Sequence, residues 1–288
     1  MSAFDLADPD GYARWRDRKL AAHPTRVQDL VVEVAEPAAL SEAEHAALLN
    51  RVRRCNMAVY ASPVGANPDK ARVRGLGRRF GLERLDQHLC TDSDAISALE
   101  IADDTLHAGY IPYSNRPIAW HTDGYYNGAS EQIRGLILHC VRPAREGGAN
   151  RLLDHEMAYL LLRERDPGYI AALQHPAVMC IPPNVVDGVE IRGETCGPVF
   201  SVDPAGRLHM RYTARSRNIA WRDDADTRAA VAALSEILAG PSPYHFETTL
   251  QSGQGLICNN VLHTRSGFEP DSPRLLYRAR YFDRIAGS

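Results

Sequence analysis

The last two thirds of the sequence alternate short apolar runs with turn-forming residues. From about residue 95, runs rich in Ile, Leu, Val and Tyr are separated by Gly, Pro and charged residues, a pattern typical of an antiparallel sandwich or barrel. The predicted strands are 97–102, 117–121, 133–141, 150–153, 178–181, 199–202, 208–212, 245–250, 256–260 and 274–282. In the last strand, alternate positions share one face, which carries Arg274, Arg278 and Arg280.

Two helices are predicted among these strands. One begins after Asp154, a residue type that caps helix N-termini, and the other covers 226–238, where apolar residues recur at helical spacing. The segment 203–206 has the composition of a tight hairpin turn.

The chain before residue 95 mixes helical and extended patterns. Ser41 and Glu44 have the spacing of a capping box, so a helix is predicted from there to about Cys55, between strands at 29–34 and 56–60. Residues 61–81, rich in Gly, Pro and Arg, predict a loop that either lies over a site or is a solvated connector.

The first thirty residues are polar and charged. They predict a short amphipathic helix that ends before Pro24, and we interpret residues 1–30 as a peripheral arm. We expect one domain over 1–288, with its β-rich core at 95–285. Such arms often pack on a second subunit, so a homo-oligomer stays among the expectations.

Composition narrows the class of protein. The chain has 288 residues, of which 44% are hydrophobic and 24% charged, with a net charge of -3. These values are ordinary for a soluble globular protein and give no basic patch for nucleic acid. No apolar run is long enough to span a membrane, and the start of the sequence has no secretory pattern. We therefore expect a cytoplasmic protein whose partner is a small-molecule substrate.

The six cysteines are scattered and never form a C-x-x-C pair. A structural zinc site is therefore not predicted. Because we expect a cytoplasmic protein, we also expect all six to be reduced.

One pair of residues suggests a metal site. His121 and Asp123 form an H-x-D motif at the end of a predicted strand, and His263 ends the apolar run 255–263. Two histidines and one carboxylate leave coordination positions open, the arrangement of non-haem Fe(II) oxygenases. A lone H-x-D occurs by chance in many chains, so the interpretation depends on the third ligand. The other histidines lack a partner at ligand spacing, and His139 is predicted to be a sheet residue.

An open iron site needs a source of electrons. A bidentate oxo-acid would fill two open positions, and its distal carboxylate would then pair with an arginine, whose planar fork matches a carboxylate. The arginine face of the strand 274–282 offers such a group. The alternative is that these arginines lie on a solvent-exposed face.

Four motifs together resemble the taurine catabolism dioxygenase family. They are W-H-T-D-G at 120–124, E-G-G-A-N at 146–150, N-N-V-L-H-T-R at 259–265, and the arginines at 274 and 278. The resemblance spans roughly 95–285. It implies an α+β protein with a double-stranded β-helix core, which is jelly-roll or cupin-like, and flanking helices.

The resemblance also implies cofactors and residue roles. Fe(II) would be held by His121, Asp123 and His263, with 2-oxoglutarate and O2 as co-substrates. Arg274 would grip the distal carboxylate of 2-oxoglutarate. Asn150 stands where the family often has threonine, and its amide can also donate a hydrogen bond. Arg278 would help to hold an acidic substrate or co-substrate.

The implied reaction converts 2-oxoglutarate to succinate and carbon dioxide and oxidises an unactivated C–H bond. Halogenating relatives lack the carboxylate ligand, so Asp123 favours hydroxylation or a related oxidation. The expected substrate is a small anionic or zwitterionic metabolite, amino-acid-like molecules included. The predicted substrate contacts flank the first metal ligand or lie in the segment 215–218: Tyr113, Asn115, Arg116, Tyr125, Tyr126, Asn127 and Arg217.

Two other classes of function stay open. A zinc hydrolase or lyase could use the same three ligands to activate water, but it would have no use for Arg274 and Asn150. A non-catalytic β-barrel that binds a ligand would need none of these residues. No residue in the sequence selects among the family's substrates.

Overall fold

The computed structural model describes residues 3–87, 91–102, 110–186 and 188–288. Within these ranges the helices are α1 (Pro9–Ala22), α2 (Glu42–Cys55), α3 (Lys70–Arg79), α4 (His155–Arg165), α5 (Pro167–Leu173) and α6 (Ala225–Ala239). The strands are β1 (Val31–Glu33), β2 (Met57–Ala61), β3 (Ile96–Leu99), β4 (Ile118–His121), β5 (Gly135–Arg142), β6 (Asn150–Leu153), β7 (Met179–Ile181), β8 (Asn184–Val186), β9 (Val189–Arg192), β10 (Thr195–Gly197), β11 (Phe200–Val202), β12 (Leu208–Met210), β13 (Ala220–Trp221), β14 (Phe246–Thr248), β15 (Gln254–Cys258), β16 (Leu262–Arg265) and β17 (Leu275–Tyr281).

The chain forms two compact units. The sheet unit consists of Pro24–Ala119, Ile133–Leu152 and His245–Ser288, and the helical unit consists of Met1–His23, Trp120–Gln132 and Leu153–Tyr244. Among the helices of the described residues, none is both long and apolar enough to cross a membrane.

Two sheets form the body of the sheet unit. The larger has the order β1-β2-β15-β5-β17-β3, and the smaller has the order β14-β6-β16-β4. In the larger sheet β1 and β2 are parallel, whereas β15, β5, β17 and β3 pair antiparallel with their neighbours. The mixed α and β class predicted from the sequence is confirmed, and in the described part of the chain both sheets are open.

Strand alternation gives the larger sheet two apolar faces. One face carries residues such as Tyr60 and Ile257, which pack with Leu48 of α2 and Leu76 of α3. The opposite face packs against the smaller sheet through side chains that include Phe246. The sheet unit is therefore a sandwich of two sheets with helices on its outer side.

Strand β17 has the two faces that alternation predicts. Tyr277, Ala279 and Tyr281 belong to the core beside α2 and α3, whereas Leu276 belongs to the core between the two sheets. Arg278 and Arg280 occupy the positions between these core residues, so they lie on the inner face, which is the face that Leu276 turns towards the smaller sheet. Their register partners on β5 are Leu138 and Leu136. The solvent-exposed alternative is wrong, because both arginines are buried.

Three helices pack together in the helical unit, namely α4, α5 and α6. The predicted N-cap of α4 is confirmed, since the Asp154 carboxylate accepts a hydrogen bond from the Glu156 amide at 2.9 Å. Helix α1 also packs here: Lys19 forms an ion pair with Asp154 at 2.6 Å, and the Tyr12 hydroxyl donates to Glu164 at 2.9 Å. The N-terminal arm is thus anchored on α4 by buried contacts.

The segment 61–81 is not a loop throughout. It contains α3, whose N-cap Asp69 accepts a hydrogen bond from the Ala71 amide at 2.9 Å. The glycines that suggested a loop allow close packing instead, because a Cβ at Gly75 would lie 2.9 Å from the Ala38 Cβ and one at Gly77 would overlap the Tyr281 hydroxyl.

The expectation that all cysteines are reduced is also wrong. Cys180 on β7 and Cys196 on β10 are directly opposite in an antiparallel pair and form a disulfide. Cys55, Cys140 and Cys258 are buried free thiols. Cys90 lies outside the described residues.

Candidate metal and co-substrate site

The H-x-D motif lies where β4 ends. His121 forms an isolated antiparallel bridge with Thr213. The Thr122 amide donates to the Tyr212 carbonyl at 3.0 Å, and the Thr122 hydroxyl accepts from the Tyr212 amide at 3.0 Å. These bonds fix the backbone on which the imidazole and the carboxylate are carried.

The turn after Asp123 depends on a glycine. Gly124 has φ 66, a left-handed conformation that costs little without a Cβ. Its carbonyl accepts a hydrogen bond from the Asn127 amide at 2.8 Å. The W-H-T-D-G motif is therefore a strand end followed by a tight turn, as the sequence predicts.

His263 lies on β16 and is oriented by its own backbone. Its Nδ1 lies 3.0 Å from the Val261 carbonyl, and since a carbonyl only accepts, Nδ1 carries the proton and Nε2 carries the lone pair that binds a metal. The turn before β16 uses Asn260 at φ 51, a conformation that asparagine tolerates. The Asn260 amide donates to the Ile133 carbonyl at 2.7 Å.

The three residues predicted as ligands come together. One ligand atom from each of His121, Asp123 and His263 lies within 4.8 Å of the other two. All three side chains are almost completely buried. Neutral imidazoles and one carboxylate are donors that suit Fe(II), so this donor set fits the implied metal.

Arg274 is a buried cation in the sheet unit. Its side chain is 4% exposed, and its Nη1 has no hydrogen-bond partner among the described residues. Burial lowers the pKa of this guanidinium to about 10, so it stays charged at neutral pH. A buried, unpaired charge is costly, and a carboxylate from a bound molecule would remove that cost. The residue present here therefore fits 2-oxoglutarate.

Two glycines of the E-G-G-A-N motif shape the space around Arg274. Gly147 has φ 77, and a Cβ there would overlap the Gly267 carbonyl oxygen. At Gly148, with φ 71, a Cβ would lie 3.6 Å from the Arg274 Nε. The Gly148 amide also donates to the Gly267 carbonyl at 3.1 Å. Close backbone approach thus requires a glycine at 147, whereas the left-handed backbone conformation favours a glycine at 148.

Asn150 follows these glycines on β6. Its amide nitrogen donates to the Thr264 carbonyl at 2.8 Å. An amide carries two N–H bonds, so one remains for another acceptor. The side chain is buried.

Sequence reasoning missed Arg265 and Phe268. The Arg265 guanidinium donates to four backbone carbonyls, those of Ile111, Pro112, Ser114 and Arg116, at 2.6–3.3 Å. The segment that leads into β4 is therefore fixed by a residue two positions after His263. Its signal in the sequence is its place as the last residue of the N-N-V-L-H-T-R motif.

The arginines of the sheet unit form a cationic cluster. Burial, and then the charges of Arg274 and Arg278, lower the pKa of Arg265 to about 9. The guanidinium carbons of Arg265 and Arg274 each lie 5.0 Å from the centre of the Phe268 ring. Such a cluster favours an anion.

The predicted substrate contacts have different environments. Tyr113 belongs to the buried core, and Arg116 is exposed. The Asn115 carbonyl accepts from the Phe268 amide at 3.2 Å. In the helical unit, Asn127 donates to the Glu131 carbonyl at 2.9 Å, and Arg217 is exposed.

Tyr125 and Tyr126 follow the Asp123 turn directly. Their rings meet edge to face, with centres 5.3 Å apart. The Tyr125 hydroxyl accepts a hydrogen bond from Arg215 at 2.9 Å. Of the predicted contacts, these two tyrosines are the nearest in sequence to a metal-ligand candidate.

The donor set and the buried arginine fit an iron- and 2-oxoglutarate-dependent oxygenase. The sequence model of the taurine catabolism dioxygenase TauD, TfdA family matches residues 17–280. The chain belongs to this family. The resemblance found from the motifs is confirmed.

Two characterised relatives are uridine-5'-phosphate dioxygenases. The chain is 34% identical over 169 residues to one from Amycolatopsis sp and 32% identical over 168 residues to one from Streptomyces sp. Each match covers 56% of this chain and 60% of the relative. The chain thus matches less than two thirds of their length.

Solved structures of oxygenases have a similar fold. AAD-2 in complex with Mn(II) and N-oxalylglycine has a TM-score of 0.66 at 12% identity, over 89% of this chain and 96% of that one. An asparagine oxygenase in complex with Fe(II), 2S,3S-3-hydroxyasparagine and succinate has a TM-score of 0.59 at 13% identity, over 96% and 92%. At these identities the likeness concerns the fold alone.

Proposed function

We propose that the protein is an Fe(II)- and 2-oxoglutarate-dependent dioxygenase that oxidises a C–H bond of a nucleoside 5'-phosphate. The observation that carries the proposal is the cluster of His121, Asp123 and His263, whose ligand atoms lie within 4.8 Å of one another. The buried, unpaired Nη1 of Arg274 supports 2-oxoglutarate in particular. The names of the two relatives support the substrate class.

The fold is proposed to be a double-stranded β-helix. The two packed sheets of the sheet unit would be its two walls. The family membership and the similar oxygenase structures support this assignment.

The residues of the chain would have separate tasks. His121, Asp123 and His263 would hold the iron, with His263 oriented by the bond of its Nδ1 to the Val261 carbonyl. Arg274 would bind the distal carboxylate of 2-oxoglutarate, and Asn150 would donate its second N–H to the same group. Arg278 would add positive charge on the inner face of β17. When bound, the iron and 2-oxoglutarate supply a two-electron oxidation of the substrate, with release of succinate and carbon dioxide.

Burial of the site has two chemical consequences. Charges interact more strongly where water is excluded, so Arg274 discriminates in favour of a dianionic co-substrate. Its pKa of about 10 keeps the cation present at neutral pH. The hydrogen bond between His263 Nδ1 and the Val261 carbonyl orients the ring and leaves Nε2 for the metal.

A turnover assay tests the proposal. Protein with Fe(II), 2-oxoglutarate and air is given uridine 5'-phosphate, uridine or asparagine, and succinate and oxidised substrate are measured by mass spectrometry. We expect uridine 5'-phosphate to give the largest increase in succinate together with an oxidised product. If 2-oxoglutarate is not consumed with any substrate, the dioxygenase proposal is wrong. Hydrolysis of a substrate with zinc alone would favour the zinc enzyme instead.

A further inference from the structure

The segment after Asp123 has charged neighbours that the roles above do not use. Tyr125 lies two residues after Asp123, so their Cα atoms are at most about 7 Å apart. Whatever binds beside Tyr125 and Tyr126 is therefore close to a ligand of the proposed iron site.

Two arginines contact this tyrosine pair. Arg215 Nη1 donates to the Tyr125 hydroxyl at 2.9 Å. The guanidinium carbon of Arg192, at the end of β9, lies 5.9 Å from the centre of the Tyr126 ring. The tyrosine rings touch each other, so the two arginines flank one continuous aromatic surface.

A third arginine, Arg211, lies near Arg192, because both guanidiniums contact Thr195. Arg211 is 4% exposed, and its guanidinium donates to the backbone carbonyls of Met179, Thr195 and Gly197 at 2.9–3.3 Å. Its Nε has no hydrogen-bond partner among the described residues. Burial, and then the charge of Arg192, lower the pKa of Arg211 to about 10. The positive charge of Arg192 therefore acts on the Arg211 guanidinium.

No carboxylate of the described residues forms an ion pair with these arginines. Arg192 donates to the neutral carbonyls of Pro182 and Gly193, both at 2.7 Å. Other arginines of the helical unit have acidic partners: Arg165 pairs with Glu236 and Arg207 with Asp203. The arginines that contact Tyr125 and Tyr126 thus have no ion-pair partner among the described residues, and they lie near Asp123 in the sequence or across the tyrosine pair.

We propose that Arg192 and Arg215, together with the Tyr125 hydroxyl, bind the phosphate group of the substrate, with Arg211 as a buried supporting charge. Guanidinium forks match phosphate oxygens, and charge-assisted hydrogen bonds are the strong ones. The role assigned here rests on the proposed function, because it names the recognition element for a phosphorylated substrate. It replaces Arg217 of the sequence prediction by Arg215, the residue of the same exposed turn that contacts Tyr125.

Binding measurements test this assignment with three variants. Arg215→Gln removes the charge but keeps a polar side chain, and Arg215→Lys keeps the charge without the fork. Arg228→Gln is the matched control, because it removes an exposed arginine of the helical unit that pairs with Asp223. Calorimetry on protein loaded with Mn(II) and 2-oxoglutarate gives dissociation constants for uridine 5'-phosphate, uridine and inorganic phosphate without turnover.

We expect Arg215→Gln to weaken the binding of uridine 5'-phosphate about tenfold, as the loss of a charge-assisted hydrogen bond implies. The binding of inorganic phosphate to Arg215→Gln should weaken by a similar factor, whereas the binding of uridine should not change. Arg215→Lys should weaken the binding of both phosphate compounds to an intermediate extent. Arg228→Gln should bind like the wild type. Equal losses in Arg215→Gln and Arg228→Gln, or no loss in either, would overturn the assignment, as would a wild type that binds neither phosphate compound.

The same measurement separates this assignment from the proposed function. If uridine 5'-phosphate binds through Arg215 but is not oxidised, the phosphate site stands and the proposed reaction is wrong. If succinate forms with another substrate while Arg215→Gln has no effect on phosphate binding, the oxygenase stands and the phosphate site is wrong.

Discussion

The guanidinium carbon of Arg274 lies 5.0 Å from the centre of the Phe268 ring. Phe268 is a buried residue whose ring lies at the same distance from Arg265. Since Nη1 of Arg274 has no hydrogen-bond partner among the described residues, the aromatic ring is one of the contacts that hold this guanidinium in place. Phe268 is therefore a positioning residue for the proposed 2-oxoglutarate site.

Replacing this ring should weaken co-substrate binding. A cation–π contact contributes about 0.5–2 kcal/mol, so Phe268→Leu should raise the dissociation constant for 2-oxoglutarate about twofold to thirtyfold. Metal affinity should not change, because Phe268 contacts Arg265 and Arg274 and is not itself a ligand candidate. Phe268→Tyr keeps the aromatic face and should restore binding. Calorimetry measures the dissociation constant for Mn(II) on metal-free protein and the dissociation constant for 2-oxoglutarate on Mn(II)-loaded protein. Wild-type affinity for 2-oxoglutarate in Phe268→Leu would contradict the positioning role.

His139 should make stability depend on pH. This residue of β5 is fully buried, its Nδ1 lies 2.9 Å from the Tyr60 hydroxyl, and burial lowers its pKa to about 4. The unfolded chain has a histidine pKa of about 6.5. Between these values the unfolded state binds a proton that the folded state does not, so stability is complete above pH 6.5 and falls as the pH decreases towards 4.

The expected loss of unfolding free energy between pH 6.5 and 4 is about 1–3 kcal/mol. Urea denaturation at several pH values measures it. His139→Gln, which can still accept from Tyr60, should show a smaller decrease, with a remainder from His245, whose pKa is also lowered to about 4. An unchanged pH profile in this variant would show that another group is responsible.

Lys19 is expected to anchor the N-terminal helix. Its ammonium group is buried and pairs with Asp154 at 2.6 Å. Removing one partner of a buried pair leaves an uncompensated charge, so Lys19→Met should lower the free energy of unfolding by about 3–5 kcal/mol. Asp154→Asn in the same protein should recover part of this loss.

Arg16→Met is the control for Lys19→Met. Arg16 lies on the same helix but forms partly exposed pairs with Asp17 and Glu164, and such exposed pairs contribute little to stability. Thermal or urea unfolding compares the variants. Equal stability of the two single variants would mean that the Lys19 contact is not a buried ion pair in solution.

The disulfide between Cys180 and Cys196 should be detectable chemically. Thiol titration of the denatured protein should yield two more thiols after reduction than before it. The bond closes a loop with a sequence separation of 16, so Cys196→Ser should lower the free energy of unfolding by about 3 kcal/mol. The same thiol count before and after reduction would show that the cysteines are reduced, as the sequence alone suggests.

Local sequence rules predicted much of the fold. The capping box is present, with the Glu44 carboxylate accepting from the Ser41 amide at 2.7 Å. Alternation assigned the two faces of β17. These features depend on residues that are close together in the sequence, so they can be predicted without knowledge of the tertiary contacts.

Tertiary packing decided what the sequence could not predict. Helix α3 was interpreted as a loop because its glycines are poor helix formers, yet they allow contact with Ala38 and Tyr281. The disulfide arises from the register of β7 and β10, which spacing does not show. Arg265 and Phe268 acquire their roles from contacts with Pro112 and Arg274.

The candidate site residues also divide into those that donor chemistry predicts from the sequence and those that only the fold brings together. His121, Asp123 and His263 could be selected from donor chemistry, and the structure brings them together. Tyr113 was selected because it precedes a ligand, but its ring is part of the buried core. Arg192 is distant in sequence from Tyr126, so only the fold connects them.

Anaerobic visible spectroscopy of the protein with Fe(II) and 2-oxoglutarate tests the proposed iron site most directly. Titration with 2-oxoglutarate should produce the weak charge-transfer band of an iron-bound oxo-acid in the wild type. His263→Ala should abolish the band, and Arg274→Ala should shift its appearance to higher 2-oxoglutarate concentrations. A wild type without the band and without consumption of 2-oxoglutarate in air, or a band that His263→Ala leaves unchanged, would contradict the proposed iron site.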